Sequence, residues 1–195
     1  MNQDQLQALL TKVQQGALAV PDALHRLRTL PYENLGFASL DHHRALRQGF
    51  PEVIFCEGKT VSQVVAIAKT LLRKNNALLA TRVEPSVARA LLRVSKRAVY
   101  HEAARVVAIA PPKLVRRGAV LIVTAGTADI PVAEEARVTA DIMGSKTDTL
   151  YDVGVAGLHR LLGQQERLHE ARALVVVAGM DGVLPSVVGG LVRQP

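Results

Sequence analysis

Ala119-Val120-Leu121-Ile122-Val123, followed by Thr124-Ala125-Gly126-Thr127-Ala128-Asp129-Ile130-Pro131, is the stretch on which the fold reading turns. An unbroken apolar run that short, rich in branched residues, predicts a strand buried on both faces, as in a parallel sheet. The small residues after it predict a tight turn, and Pro131 suits the first turn of a helix, expected over 131–143 and closed by Gly144. A more polar strand is expected over 146–150, then a Gly-rich turn and a helical stretch from Leu158 to about Ala171. Ala173-Leu174-Val175-Val176-Val177-Ala178 reads as a second buried strand, and Leu184 to Val192 as its helix. Strand–helix alternation of this kind predicts an α/β domain, a parallel sheet with helices on both faces, over residues 118–195.

Working back from Gly118, the double proline Pro111-Pro112 and Arg116-Arg117-Gly118 mark the best boundary, leaving residues 1–117 as a small α+β domain. Two amphipathic helices open it, the first over 3–15 with Leu6, Leu9, Leu10 and Val13 on one stripe and Gly16 as its stop. The second places Leu24, Leu27 and Leu30 together and ends at Pro31. Residues 36–49, polar and containing Asp41-His42-His43-Arg44, read as a loop. Strands are expected near 52–56, 77–83 and within 99–109, with helices over 61–74 and from Pro85 to Arg97.

The net charge of +7 is unevenly placed: residues 1–118 carry 18 Lys/Arg against 8 Asp/Glu, residues 119–195 carry 6 against 9. A basic unit can attract nucleic acid, an anionic lipid surface or a phosphate-bearing small molecule, or can simply be a solvated face. Only three Phe, three Tyr and no Trp leave little for base stacking, so nucleic acid is not expected. No apolar run approaches the roughly 18 residues of a membrane span, and the polar start does not resemble a signal peptide. The single Cys56 excludes an internal disulfide, and a cytoplasmic location is expected.

Ligands of open parallel sheets bind beyond the carboxyl ends of the strands, and three segments fall there. Ala125-Gly126-Thr127 with the following helix start suits a phosphate; Asp129 reads as part of that site or only as a helix cap. Asp152-Val153-Gly154-Val155-Ala156-Gly157-Leu158-His159-Arg160 offers flexible backbone, a histidine suited to proton transfer and an arginine suited to an anion. A solvent-facing histidine at a helix start is the plainer reading of His159. Gly179-Met180-Asp181-Gly182 could frame a flat ring. Gly58-Lys59-Thr60 lacks the earlier glycine of a phosphate loop, Val53 standing in its place. Asp41-His42-His43 has no further cluster to make a metal site, and Cys56 reads as a buried small hydrophobe.

In this order, the three segments resemble the aminoimidazole ribonucleotide carboxylase (PurE)-like superfamily. Val123 to Ala136 is similar to its opening loop and helix, Leu158-His159-Arg160 to its Ala-His-Arg segment, and Ala178 to Val188 to its Gly-rich loop and helix. Tyr151 to Arg160 departs from the shorter Ser-Ala-His-Arg turn of the purine enzymes and resembles the nickel-pincer nucleotide (LarB) branch. Leu40 to Arg44, Gly49 to Val53 and Gly58 to Thr60 resemble that branch too. The resemblance implies a three-layer, flavodoxin-like PurE-type domain. It also implies carboxylation of nicotinic acid adenine dinucleotide at C5 of the pyridinium ring, with hydrolysis to AMP and pyridinium-3,5-biscarboxylic acid mononucleotide. It implies CO2 or bicarbonate as co-substrate, no tightly bound cofactor, Mg2+ left open, and a homo-oligomer, an octamer. His159 and Asp129 would be catalytic, Asp129 binding ribose or managing a proton. Ala125, Gly126, Thr127, Asp152, Gly154, Val155, Gly157, Arg160, Gly179, Met180, Asp181 and Gly182 would hold substrate. The family's nucleophilic cysteine belongs to a segment expected beyond Arg193-Gln194-Pro195, so a C-terminally shortened domain is expected, and Cys56 matches no catalytic position. The purine mutase or carboxylase reaction and a non-catalytic nucleotide-binding module are the alternatives.

Overall fold

The computed structural model describes residues 3–28 and 32–195. They divide into two units, Met1–Val99 with Val107–Ala110, and Tyr100–Val106 with Pro111–Pro195.

In the first unit, α1 (Gln3–Gln14) and α2 (Val20–Arg28) are the expected helices. Their apolar stripes are only partly covered, since Leu9 and Ala23 are buried while Leu10 and Leu24 are exposed. Leu30 and Pro31, on which the end of the second helix was read, lie outside the described residues. Residues 36–49 differ from the expected loop. A short antiparallel pair, β1 (Glu33–Asn34) and β2 (Ser39–Leu40), is followed by α3 (Arg44–Gln48). The polar residues are the reason: Asn34 Oδ1 accepts from Gly36 N (2.7 Å) to close the hairpin, and Asp41 Oδ1 accepts from His43 N (3.0 Å) ahead of the helix. Such side-chain-to-backbone turns leave no hydrophobic period in the sequence.

β3 (Ile54–Phe55), α4 (Val61–Lys74), β4 (Leu78–Thr81), α5 (Pro85–Val94) and β6 (Val106–Ile109) follow, while β5 (Val99–His101) begins where the first unit gives way to the second. In the first unit β3 and β4 pair in parallel, and β4 and β6 antiparallel. Every residue of β4 and β6 is buried. Thr60 explains the start of α4: its hydroxyl accepts from Gln63 N while the Gln63 side chain accepts from Thr60 N, a reciprocal cap. Lys59 donates to Phe55 O at 2.7 Å.

The second unit carries β7 (Arg117–Thr124), α6 (Ile130–Ile142), β8 (Ser145–Leu150), α7 (Leu158–Leu162), α8 (Gln165–Glu170), β9 (Ala173–Val177) and α9 (Val183–Leu191). All three strands are parallel in the order β8-β7-β9, with Leu121 opposite both Asp148 and Leu174. Leu121 and Val123 of β7 pack with Leu161, Leu168, Leu184 and Val188 of α7, α8 and α9. The pleat sends Ile122, fully buried, to the other face, where α6 packs on the sheet through its own buried Ala133, Val138 and Ile142. Helices thus cover both faces, a mixed α/β architecture of the Rossmann/flavodoxin-like kind.

In the second unit two expectations differ from the structure. The helix read over 158–171 is two short helices, because Gly163 N and Gln164 N bond back to His159 O and Leu161 O in a tightened turn that ends α7. The strand read as buried at 173–178 is half-exposed, Val175 at 37%, because β9 lies at the edge of the sheet. Among the described residues, no helix is long and apolar enough to cross a membrane.

The central and edge strands should respond differently to truncation. Ile122→Ala should cost about 2–5 kcal/mol, as for other fully buried aliphatic deletions. Val175→Ala should cost well under half of that. Urea denaturation of both variants measures the contrast.

Candidate functional site

Parallel pairing brings the ends of β7, β8 and β9 to one rim, and the backbone knits the loops that leave it. Ala125 N donates to Val177 O (3.0 Å), Val153 N to Thr124 O (3.0 Å) and Gly154 N to Ala125 O (2.8 Å). Thr124, wholly buried at the end of β7, accepts from Asp152 N through its hydroxyl (3.0 Å). The approach of the second loop to the first requires glycine at 154: a Cβ there would lie 2.7 Å from Ala125 O.

Asp129 joins the first loop to the third. Its Oδ2 accepts from Gly126 N (2.9 Å) and its Oδ1 from Gly179 N (3.1 Å). The carboxylate therefore closes the 3-10 turn Thr127–Asp129 and makes no capping bond to α6. Of the two expected readings, the cap of the following helix is not formed, and the carboxylate serves instead as a bridge between loops of the site. Arg160, on the first turn of α7, donates from Nη1 to Asp152 Oδ2 at 2.7 Å. Its guanidinium lies against Gly157, where a Cβ would meet Nε at 2.7 Å. Both partners of this ion pair are substantially exposed.

The three loops enclose a cleft of about 490 Å³. Of the residues singled out in the sequence, Ala125, Gly126, Asp129, Gly154, Val155, Arg160, Gly179, Met180 and Asp181 line it. Thr127, Asp152, Gly157, His159 and Gly182 belong to the same loops without lining the cleft. His159 is exposed at the start of α7, and Gly182 takes φ 65 as the residue before α9. Ala128, Ala156, Ala178 and Leu184 also line the cleft. Their signal was only adjacency to the glycines, since alanine and leucine carry no chemistry of their own. The lining is mostly small or apolar, with Arg160 its cation and Asp129 and Asp181 its anions.

A smaller hollow, about 230 Å³, lies at the opposite end of β7 and β8 beside Lys146 and Arg167. Arg167 is occupied there by Asp148 Oδ2 (2.7 Å) and Thr149 O (2.6 Å). In the first unit, His42 is buried with Nε2 at 3.1 Å from Glu33 Oε2, and burial holds its pKa below the ordinary value. Arg73 and Lys74 also pair with Glu33. No group of three or more His, Cys, Asp or Glu among the described residues is placed to hold a metal ion. Cys56 is buried, its thiol pushed up to about 11 by desolvation, which suits the small-hydrophobe reading.

Behind the second loop, Glu134 of α6 accepts from Arg137 Nε and Nη2 (2.8 Å each) and from the Tyr151 hydroxyl (2.5 Å). The Arg137 guanidinium, helped by Tyr151, holds the Glu134 carboxyl below its ordinary value of 4.5 against the opposing effect of burial. A depressed carboxylate stabilises the fold above its unfolded value, and that contribution disappears as pH falls through the folded value. Glu134→Gln should therefore be less stable than the parent at pH 7, and the difference should close as pH is lowered below 4.5. Thermal melts of both proteins across that range measure it. Gly154→Ala should destabilise by about 1–3 kcal/mol through its clash with the Ala125 carbonyl, as overpacking does elsewhere. Chemical denaturation of that variant checks the close approach of the two loops.

Comparison with known proteins gives two findings. Residues 32–111 match the family described as the LarB/PurE-like N-terminal domain. An uncharacterized protein of Methanocaldococcus jannaschii is 34% identical over 201 residues, an alignment covering 97% of this chain and 78% of that relative. The family match ends before β7, and the alignment with the relative, covering 97% of the chain, carries the likeness through the site loops. Together they show that this chain belongs to the LarB/PurE-like, carboxylase-related family.

Proposed function

We propose that the cleft binds nicotinic acid adenine dinucleotide and that the protein serves its carboxylation at C5 of the pyridinium ring, with CO2 or bicarbonate as co-substrate. The observation that carries this reading is the convergence of three small-residue loops and one arginine on a single rim of a parallel sheet. Loops at the carboxyl ends of parallel strands suit a nucleotide. The small lining lets the backbone approach phosphate closely, while Arg160 supplies a forked, permanently charged donor. Its ion pair with Asp152 is exposed, and such pairs contribute little stability. A substrate phosphate can therefore replace Asp152 as the partner of Arg160 at small cost.

In this reading Gly126, with Ala125 and Thr127, cradles phosphate, and Gly154, Val155 and Gly157 shape the adjoining wall. Gly179 to Gly182 face the ring. Asp129 uses one acceptor position on each oxygen for the loop amides, and the remaining positions are free to accept ribose hydroxyls. His159, which precedes Arg160 without lining the cleft, takes the proton-transfer role by resemblance to the family. Asp181, also in the lining, would offer a carboxylate to an Mg2+ carried in by the phosphates, since that ion takes one or two carboxylates beside its phosphate ligands. A cationic ring needs a nucleophile added before it can attack CO2. Cys56, buried in the first unit with its raised thiol, is not assigned that role. We read the β8-β7-β9 order as part of a PurE-type arrangement acting in the cytoplasm as a homo-oligomer, an octamer by resemblance.

The position of His159 outside the cleft lining also favours a second reading, nucleotide binding without catalysis. Calorimetric titration with nicotinic acid adenine dinucleotide, followed by mass spectrometry after incubation with labelled bicarbonate, separates the two. Release of AMP with a product heavier by one carboxylate supports the carboxylase; saturable binding without product supports the module. Arg160→Ala should weaken binding by about tenfold or more, as expected for the loss of a charge-assisted contact. An unchanged affinity in that variant, or no binding by the parent, contradicts the proposal.

A further inference from the structure

Tyr151 has no part in the cleft lining, yet its side chain is held firmly. Its hydroxyl donates to Glu134 Oε1 at 2.5 Å, and Glu134 is gripped in turn by both donors of the Arg137 fork. All three groups are partly buried, so the network is better shielded from water than a surface pair.

The residue that follows Tyr151 is strained. Asp152 takes φ 58, in the left-handed region that residues other than glycine seldom occupy. Such a conformation persists where its surroundings over-determine it. The ion pair from Asp152 to Arg160 is too exposed to do this alone. The turn is instead fixed on one side by Thr124, whose hydroxyl and carbonyl accept from Asp152 N and Val153 N. On the other side it is fixed by Tyr151, tied to α6. The carboxylate of Asp152, so placed, accepts from Arg160 Nη1 at 2.7 Å, and Arg160 lines the cleft.

We infer that Tyr151, locked to Glu134 and Arg137, is a positioning residue. It holds Asp152 in its left-handed turn and thereby sets where the Arg160 guanidinium stands in the cleft. The inference rests on the reading of Arg160 as the anion-binding residue. It goes beyond that reading by assigning part of the anion affinity to a hydroxyl that never meets the substrate.

A double-mutant cycle tests it, with nicotinic acid adenine dinucleotide titrated calorimetrically into the parent, Tyr151→Phe, Arg160→Ala and the double variant. Tyr151→Phe should weaken binding by about three- to tenfold, the scale of one lost hydrogen bond. The double variant should bind no more weakly than Arg160→Ala alone. Equal affinity in Tyr151→Phe and the parent overturns the inference. So does a Tyr151→Phe effect of the same size in the Arg160→Ala background, which would make Tyr151 independent of Arg160. An Arg160→Ala variant that binds like the parent overturns the reading of the cleft itself, whatever Tyr151 does. Glu134→Gln and Glu134→Ala separate positioning from lost stability. Glu134→Gln keeps an acceptor for the Tyr151 hydroxyl and should recover most of the affinity that Glu134→Ala loses. Equal losses in the two would overturn the inference.

Discussion

Two backbone N–H groups, from Gly126 and Gly179, converge on the single carboxylate of Asp129. The second of these bonds spans 50 residues of sequence, and it ties the loop after β7 to the loop after β9, neighbouring strands of the sheet. Without it each loop would be a glycine-rich turn with considerable freedom to lose on binding a ligand. With it, the separation of the two loops is set before any ligand arrives, which lowers the ordering cost of association. Gly179 adds a steric condition, since a Cβ there would lie 3.2 Å from Asp129 Oδ1. The clasp and the glycine depend on each other.

The remaining wall is built differently. The second loop reaches the first through backbone bonds to Thr124 and Ala125, and these demand glycine at 154. Its charge is carried by a side chain, Arg160, in an ion pair open to water. One side of the cleft is therefore fixed by buried or backbone-bonded groups, and the other presents a cation held in an exposed ion pair. That division suits a nucleotide, whose phosphate must be attracted and whose sugar and ring must be aligned. The family match over 32–111 falls mostly in the first unit, whereas these features all lie in the second. The alignment with the archaeal relative spans both.

Much of the fold was legible because its strongest signals are local. The apolar run at 119–123 reads as a buried strand, and the helix expected over 61–74 is found as α4 with those bounds. Elements whose cause is not hydrophobic were harder to read. The hairpin and helix within 33–48 are organised by Asn34 and Asp41 bonding to nearby amides. Gly163 splits a helix that its flanking leucines made look continuous. The run at 173–177 resembles that at 119–123, and only the strand order distinguishes an edge from a centre. In the cleft, glycines at strand ends and Arg160 could be picked out by residue type. The bridging role of Asp129 could not, because its second partner is defined only once β9 lies beside β7. Tyr151 and Glu134 were hidden for the same reason: they meet across 17 positions through a contact that the fold creates.

In the proposed reading the three loops act as one receptor, and backbone amide mapping by NMR tests that most directly. On titration with nicotinic acid adenine dinucleotide, the amide signals of Gly126, Gly154 and Gly179 should shift together along a single saturation curve. Shifts confined to one loop, or centred instead on Gly118 and Lys146 at the far end of the strands, would contradict it.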